Sequence, residues 1–418
     1  GERASIVMRK MDIGNLAPAN HRVLRDINEV MVLNVIREKQ PISRIEIAGL
    51  IGLEGSTVSK IVARLVTDSL VYEEGVGEAS PQGGRKKRFL HINPHKACAI
   101  GVDFRPSGYT VALSDFRGKI QRSVDLPGSP DPHQAIAAIA KQVRKILRSC
   151  AGESVEGIGV SLVGLIDPAE GRVLAGEGLG WGEDVPVGAM LRKALDMDIP
   201  MYFENGAWLG ALAETWFGKH ARPPRNLVFL DIGEGIGSGI IIRGQFYHGS
   251  MNGAGEFGHI SLHPEGPSCS CGARGCLEAY AADPATVQRY QELRQARRDA
   301  GASDISSTTI DEVIGRALQG EPEAVESLQE KAVYLGRGLM PVVYSLNPEV
   351  IILGGPVTRA WDFVHPIMVR ELSQRVPRFY MDHLTLIPTT LEYRPSLVGA
   401  IALVLARSFA VPSIASIS

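Results

Sequence analysis

Gly255-Glu256-Phe257-Gly258-His259 and, shortly after it, Cys269-Ser270-Cys271-Gly272-Ala273-Arg274-Gly275-Cys276-Leu277-Glu278 place one histidine and three cysteines within 18 residues. Three thiolates and one imidazole satisfy a tetrahedral zinc ion and leave no position open for water. His259, Cys269, Cys271 and Cys276 therefore read as a structural zinc set. Only five cysteines occur among the 418 residues, which makes three incidental thiols in one short loop a poor explanation. The other two, Cys98 and Cys150, carry no pairing signature, and reduced thiolates on zinc fit a cytoplasmic protein.

Outward from this loop the patterning is α/β. Ala99 to Phe104 opens a strand with Tyr109 to Leu113 as its hairpin partner, residues 134–149 read as a helix, and Gly157 to Leu162 as a buried strand. Asn226 to Gly233 begins a second such unit, running through Gly235-Ile236-Gly237-Ser238-Gly239 into the strand Ile240 to Ile242. Two strand-hairpin starts, near 99 and 227, predict two lobes of related architecture. Farther on, 322–346 reads as a helix pair or one long helix. Val350 to Gly355 reads as a buried strand and turn, and Leu397 to Phe409 as an apolar helix. Residues 286–300, rich in Arg, Gln and Glu, read by default as a solvated helix, with an interlobe or subunit helix as the alternative.

The first 94 residues have a different character. They hold 14 Lys+Arg against 11 Asp+Glu, whereas the remainder holds 30 against 35, so a near-neutral total of −2 hides a basic head on an acidic body. Val23 to Ile36 has helical apolar spacing. Ser43 and Glu46 form a capping box for a second helix ending at Gly52. After the turn Leu53-Glu54-Gly55, a third helix carries Val58, Ile61, Val62 and Leu65 on one face and Ser56, Thr57, Ser59, Lys60 and Arg64 elsewhere. Short hydroxyls and long cations on a second helix after a tight turn suit a reader of the DNA major groove. Leu70 to Glu73 and Lys87 to Ile92 then read as a hairpin wing. Its tip runs into four consecutive cations, Arg85, Lys86, Lys87 and Arg88, within reach of phosphates. Residues 1–20 read as an arm, and Asn93-Pro94 as the boundary. The N-terminus has no leader-like pattern, and no apolar run approaches the roughly 20 residues that span a bilayer, so no membrane insertion is expected.

Gly233-x-Gly235-Ile236-Gly237-x-Gly239, then Gly253-Ala254-Gly255-Glu256-Phe257-Gly258-His259 and the three-cysteine loop, resemble the ROK family of repressors and sugar kinases over roughly 95–410. The repressor branch carries an N-terminal winged helix-turn-helix. The resemblance implies a head at 1–94 and a two-lobed actin/hexokinase-like body at 95–418. The first lobe would take about 95–205 plus a C-terminal helix at 395–412, and the second about 206–394. It also implies an interlobe sugar cleft. Phe203-Glu204-Asn205 resembles the family's strand end with a hydroxyl-binding Asn, here Asn205. Glu256 and Glu278 match its sugar-contacting carboxylates, and His259 matches the residue touching both zinc and sugar. Taken singly, Asn205 is a turn residue before a helix and Glu256 a loop acid.

Three departures from the kinase pattern argue against catalysis. The kinases' general base, an Asp after that Asn, is replaced by Gly206. The first phosphate loop, Asp-x-Gly-x-Thr-like in kinases, reads Asp103-Phe104-Arg105-Pro106-Ser107. The second places Glu234 where Thr is usual, and its charge repels phosphate. The expectation is a non-enzymatic, sugar-responsive transcriptional regulator of the repressor type. Its partners would be a double-stranded DNA operator and a small sugar or sugar derivative, and its assembly a homodimer or homotetramer. Some regulators of the family answer to a protein instead, so a protein regulator stays open. The alternatives are an ATP-dependent sugar kinase with an added DNA-binding head, and a zinc-stabilised protein whose head contacts protein only.

Overall fold

A computed structural model describes residues 21–75, 88–150, 154–220, 224–297 and 307–409. Contacts divide the chain into two compact units, 1–96 with 406–418, and 97–405.

The head unit contains α1 (His21–Lys39), α2 (Arg44–Ile51), α3 (Gly55–Thr67) and a hairpin of β1 (Val71–Glu74) and β2 (Phe89–Ile92). The expected capping box starts α2. Ser43 N donates to Glu46 Oε2 at 2.8 Å, Glu46 N to Ser43 Oγ at 3.4 Å, and Gly52 ends the helix in the left-handed region at φ 69°. Val32, Leu33, Ile36, Ile47, Val58, Ile61, Val62 and Leu65 form its core. Leu50, one of the apolar residues of α2, is 61% exposed. The strands pair antiparallel with Val71 opposite Ile92. The wing tip, with Arg85, Lys86 and Lys87, lies outside the described residues.

The body opens with β3 (Ala97–Arg105), β4 (Gly108–Asp115) and β5 (Ile120–Pro127). They are followed by α4 (Pro132–Ser149), β6 (Ser154–Leu162), a small sheet of β7 (Leu165–Asp167), β8 (Arg172–Ala175) and β9 (Glu183–Val185), α5 (Val187–Leu195), β10 (Met201–Asn205) and α6 (Gly206–Phe217). The second lobe supplies β11 (Leu227–Ile232), β12 (Ile236–Ile242), β13 (Gln245–Phe246), α7 (Leu277–Ala281), α8 (Asp283–Ala296), α9 (Ile310–Leu318) and α10 (Pro322–Leu346). After these come β14 (Val350–Gly354), α11 (Trp361–Ser373), α12 (Arg378–Met381), β15 (Thr385–Pro388) and α13 (Pro395–Phe409).

The two main sheets repeat one plan. The first runs β10-β6-β3-β4-β5 and the second β15-β14-β11-β12-β13. In each, the opening strand pairs antiparallel with its hairpin partner and parallel with a later strand. Strands this apolar fit sheets covered on both faces, and β3 and β14 are buried almost end to end. In the first lobe Ile136, Ile139 and Val143 of α4 cover Ile100, Val102 and Val160. In the second, Leu328, Leu335 and Leu339 of α10 cover Val228, Leu230 and Ile351.

Helix α13 reaches the first sheet without intervening side chains: a Cβ on Gly159 would lie 1.9 Å from the Ala400 carbonyl oxygen. The expected first lobe takes in all of this helix. From Ala406 onward it instead groups with the head, where Asn34 Nδ2 donates to the Phe409 carbonyl at 2.9 Å. Residues 322–346 form one helix through Pro341. The charged α8 is not merely solvated. Arg289, Arg294 and Arg297 pair with Glu330, Glu321 and Glu326 of the α10 region at 2.8, 3.0 and 2.6 Å, over buried Thr286, Tyr290 and Leu293.

Candidate functional site

The metal-ligand loop is built from β-bridges and turns rather than from a core. Leu262 N donates to Gly275 O at 2.7 Å, Gly275 N to Pro267 O at 2.8 Å, and Cys269 N to Ala273 O at 2.9 Å. Gly275 is left-handed at φ 69°, and a Cβ there would sit 1.7 Å from the His263 carbonyl oxygen, so only glycine closes this turn. A 3-10 turn at Phe257–His259 carries His259, and Cys276 precedes α7, whose Leu277 is anchored in the second-lobe core.

These elements gather one ligand atom each from His259, Cys269, Cys271 and Cys276 within 4.8 Å of one another. Cys269 Sγ lies 3.5 Å from His259 Nδ1, and Cys271 Sγ 3.8 Å from Cys276 Sγ. Burial and the two neighbouring thiols push the Cys276 thiol up to about 12. Three thiols this close ionise together only beside a cation, so the donor set fits a metal ion. The imidazole also sets a direction: Nδ1 faces the thiols, while Nε2 lies 3.9 Å from Glu256 Oε2. Withdrawal from solvent raises the Glu256 carboxyl, His259 pulls it back, and Glu278 adds to the rise.

Glu278 and Asn205 are less free than their sequence reading implied. Glu278 Oε2 accepts from Ile236 N at 2.8 Å and Oε1 from Ser270 Oγ at 3.3 Å, bracing the metal loop against the β11–β12 turn. Asn205 is the N-cap of α6. Its Oδ1 accepts from Ala207 N at 2.9 Å, and its Nδ2 donates to Gly164 O at 3.0 Å, which leaves one amide hydrogen uncommitted. Asn205 is thus the turn residue before a helix that its position alone suggests. Next to it, buried Glu204 accepts from Asn205 N at 2.8 Å. Its other oxygen lies 3.2 Å from His248 Nε2, and His248 stacks on Trp208 with centroids 4.3 Å apart. Sequence reasoning missed His248, because no local motif marks a residue whose partner is 44 positions away.

The three departures from a phosphate site are also visible. Gly206 begins α6, and a Cβ there would lie 3.0 Å from Ser161 Oγ and 3.6 Å from Ser396 Cβ. Glu234 Oε2 accepts from Ser107 N at 3.2 Å, taking an acceptor position on the first loop. Arg105 donates through Nε to Asp103 Oδ2 at 2.9 Å and through Nη2 to Ser396 Oγ at 2.8 Å. Chemically, the Glu256 carboxylate and the His259 imidazole beside it are groups suited to hydroxyls, whereas Ser107 N, Asp103 and Ser396 are already engaged by Glu234 and Arg105.

In the head, Ser56 and Lys60 are exposed on α3, and Thr57 and Ser59 are half-buried beside them. Arg64 is turned toward α1, pairing with Glu29 at 2.8 Å, and Arg88 pairs with Glu73 at 2.9 Å. Among the described residues no helix is long and apolar enough to cross a membrane.

Comparison with known proteins gives relatives for nearly the whole length. The chain is 28% identical over 405 residues to a xylose repressor of Caldicellulosiruptor bescii, covering 95% of this chain and 100% of that one. It is 26% identical to the DNA-binding transcriptional dual regulator NagC of Escherichia coli K12, covering 94% and 95%. A ROK family transcriptional regulator, a homologue of the E. coli MLC protein, superposes with a TM-score of 0.75 at 25% identity, covering 93% of this chain and 97% of its own. A ROK family glucokinase from Streptomyces griseus, in complex with glucose and AMPPNP, superposes with a TM-score of 0.65 at 26% identity and covers 99% of itself but 73% of this chain. The ROK family model matches residues 99–407, and the chain belongs to the ROK family.

Proposed function

We propose that this protein is a sugar-responsive transcriptional repressor. In this reading the head binds a double-stranded DNA operator, and the body holds a structural zinc ion beside a sugar cleft. One observation carries the reading. Relatives that match nearly the whole chain are regulators, whereas the glucokinase stops at 73% of it, about the share left when the head is removed. Zinc is the metal that a closed Cys3His set selects. Reduced thiolates and a DNA partner would both suit a cytoplasmic setting.

Asn205, Glu256, His259 and Glu278 are the proposed sugar contacts. A metal-held His259 cannot swing away, so its Nε2 and the Glu256 carboxylate offer a fixed donor–acceptor pair to adjacent hydroxyls. Ser56, Thr57, Ser59 and Lys60 are the proposed groove contacts, with Arg64 held back by Glu29. Arg85, Lys86, Lys87 and Arg88 are the proposed phosphate contacts. A homodimer or homotetramer would present two heads to a pseudo-palindromic site. A sugar acts only through unequal affinity for the two states of the assembly.

The kinase reading has a specific obstacle at Gly206, which carries no proton acceptor, and at Arg105 and Glu234, which fill the phosphate end. A coupled phosphorylation assay over hexoses, pentoses and amino sugars, run beside operator binding, tests both readings. Salt-dependent DNA binding modulated by one sugar, without turnover, supports the repressor. Turnover that disappears in Glu256→Ala overturns it.

A further inference from the structure

The two sheets end at equivalent aspartates. Asp103 on β3 lies opposite Ser161 on its parallel neighbour β6, and Asp231 on β11 lies opposite Gly354 on β14. Arg105 stands between them. Its Nε holds Asp103 Oδ2 at 2.9 Å and its Nη2 lies 3.8 Å from Asp231 Oδ2, with Ser396 Oγ as a third partner at 2.8 Å. Asp103 is 1% exposed. One oxygen of each aspartate, Asp103 Oδ1 and Asp231 Oδ1, is buried without a hydrogen-bond partner, as is Ser161 Oγ. A buried carboxylate oxygen with no donor is held in place by charge, and the only cation in this set is the guanidinium. Burial opposes its charge, but Asp103 and Asp231 outweigh that and hold Arg105 protonated more firmly than a free arginine. Glu234 adds a tie across the same gap through Ser107 N.

We propose that Arg105 is a protein-borne counter-ion that latches the two lobes at this end of the cleft, in the place a dissociable divalent cation would take between Asp103 and Asp231. The latch fills the space with a covalently attached charge, so this end takes neither a divalent metal nor a phosphate group. Ligands are left to the end beside His259 and Glu256. The latch does not depend on what that end binds, so its failure and the failure of the repressor reading are separate results.

The test uses the full-length protein and thermal unfolding in millimolar MgCl2 or CaCl2 against matched ionic strength. The wild type is expected to show no specific response. Arg105→Ala leaves Asp103 and Asp231 facing each other, a hard oxygen site, and is expected to unfold at lower temperature and recover with either cation. Arg105→Lys keeps the charge and is expected to stay insensitive. Adding Asp231→Asn to Arg105→Ala should abolish the recovery. A wild type stabilised by Mg2+ as strongly as Arg105→Ala, or an Arg105→Ala protein unchanged in midpoint and in cation response, overturns the proposal. If Arg105→Ala does not fold, Asp231→Asn alone decides. It keeps the Asp103 and Ser396 contacts and the Glu234–Ser107 bond, but removes the charge that Arg105 meets on the second lobe. Amide exchange at 107–108 and 233–235 is expected to rise about tenfold, and unchanged exchange there contradicts the latch.

Discussion

Cys271→Ser isolates the contribution of the metal, because Cys271 is exposed and its replacement removes a ligand without opening a cavity. The loop it closes runs 18 residues from His259 to Cys276. Most of 263–274 is exposed or half-buried, so backbone bonds and the proposed metal, not apolar burial, would order it. Treated as a cross-link, closure of a loop this long is worth about 3 kcal/mol of chain entropy at 25 °C. Unfolding entropy of about 2.1 cal/mol/K per residue turns that into a fall of about 5 °C for a body spanning 97–405. Calorimetry with zinc quantified on the same sample reads both quantities. Trypsin supplies a local probe, since Arg274 is exposed and bridged to Ser268 at the base of the cysteine turn, and should be cut sooner in the variant. Full zinc occupancy in Cys271→Ser would refute the ligand assignment. Zinc loss with an unchanged midpoint and unchanged cleavage at Arg274 would refute the structural role.

Further outcomes are expected from other positions. Gly206→Asp restores a carboxylate at the kinase base position but should give no phosphorylation in a coupled assay. Its Cβ meets Ser161 Oγ at 3.0 Å, which costs about 1–3 kcal/mol in chemical denaturation. Buried Glu214 accepts from Thr389 Oγ1, from Thr390 N at 2.9 Å and Oγ1 at 2.7 Å, and lies 2.8 Å from His220 Nε2. Burial raises its carboxyl, but the bonds to His220, Thr389 and Thr390 together hold it below the ordinary range. That stabilisation is present above the unfolded-state value of about 4.3 and is lost as pH falls through the depressed native one. Glu214→Gln should therefore cost about 1–3 kcal/mol at pH 7 and progressively less below about pH 4 in urea titrations. Asn205→Ala should lose about 1 kcal/mol of capping as well as sugar affinity. Asn205→Ser, which can still cap, should recover the stability and not the affinity, as paired melts and calorimetric titrations would show.

The legible parts of this protein were those written in local spacing. The His259–Cys276 cluster, the Ser43–Glu46 capping box and the two hairpin starts each depend on residues close in sequence, and each appears in the structure where the spacing puts it. What stayed hidden depends on distant partners. Arg105 looked like bulk in a broken phosphate loop, because Ser396 lies 291 residues away and Asp231 on another sheet. Arg64 looked like a free cation on a reading helix until Glu29 appeared beside it. The charges of α8 looked solvated, because their partners sit at Glu321 and on the helix that follows it, about 27 to 41 positions away. Glu278 and Asn205 were marked by motif, but only the fold shows that each also braces backbone.

The most direct test is the anisotropy of labelled DNA from upstream of the protein's own gene, titrated with the full-length protein with and without each of a panel of monosaccharides. Binding near 10⁻⁸ M that weakens steeply with salt is expected. One sugar should shift the affinity about tenfold or more, a coupling of at least about 1.4 kcal/mol. Glu256→Ala should erase that shift while leaving DNA binding intact. DNA binding that no sugar alters, together with phosphorylation of a sugar by the same preparation, would contradict the repressor reading at its centre.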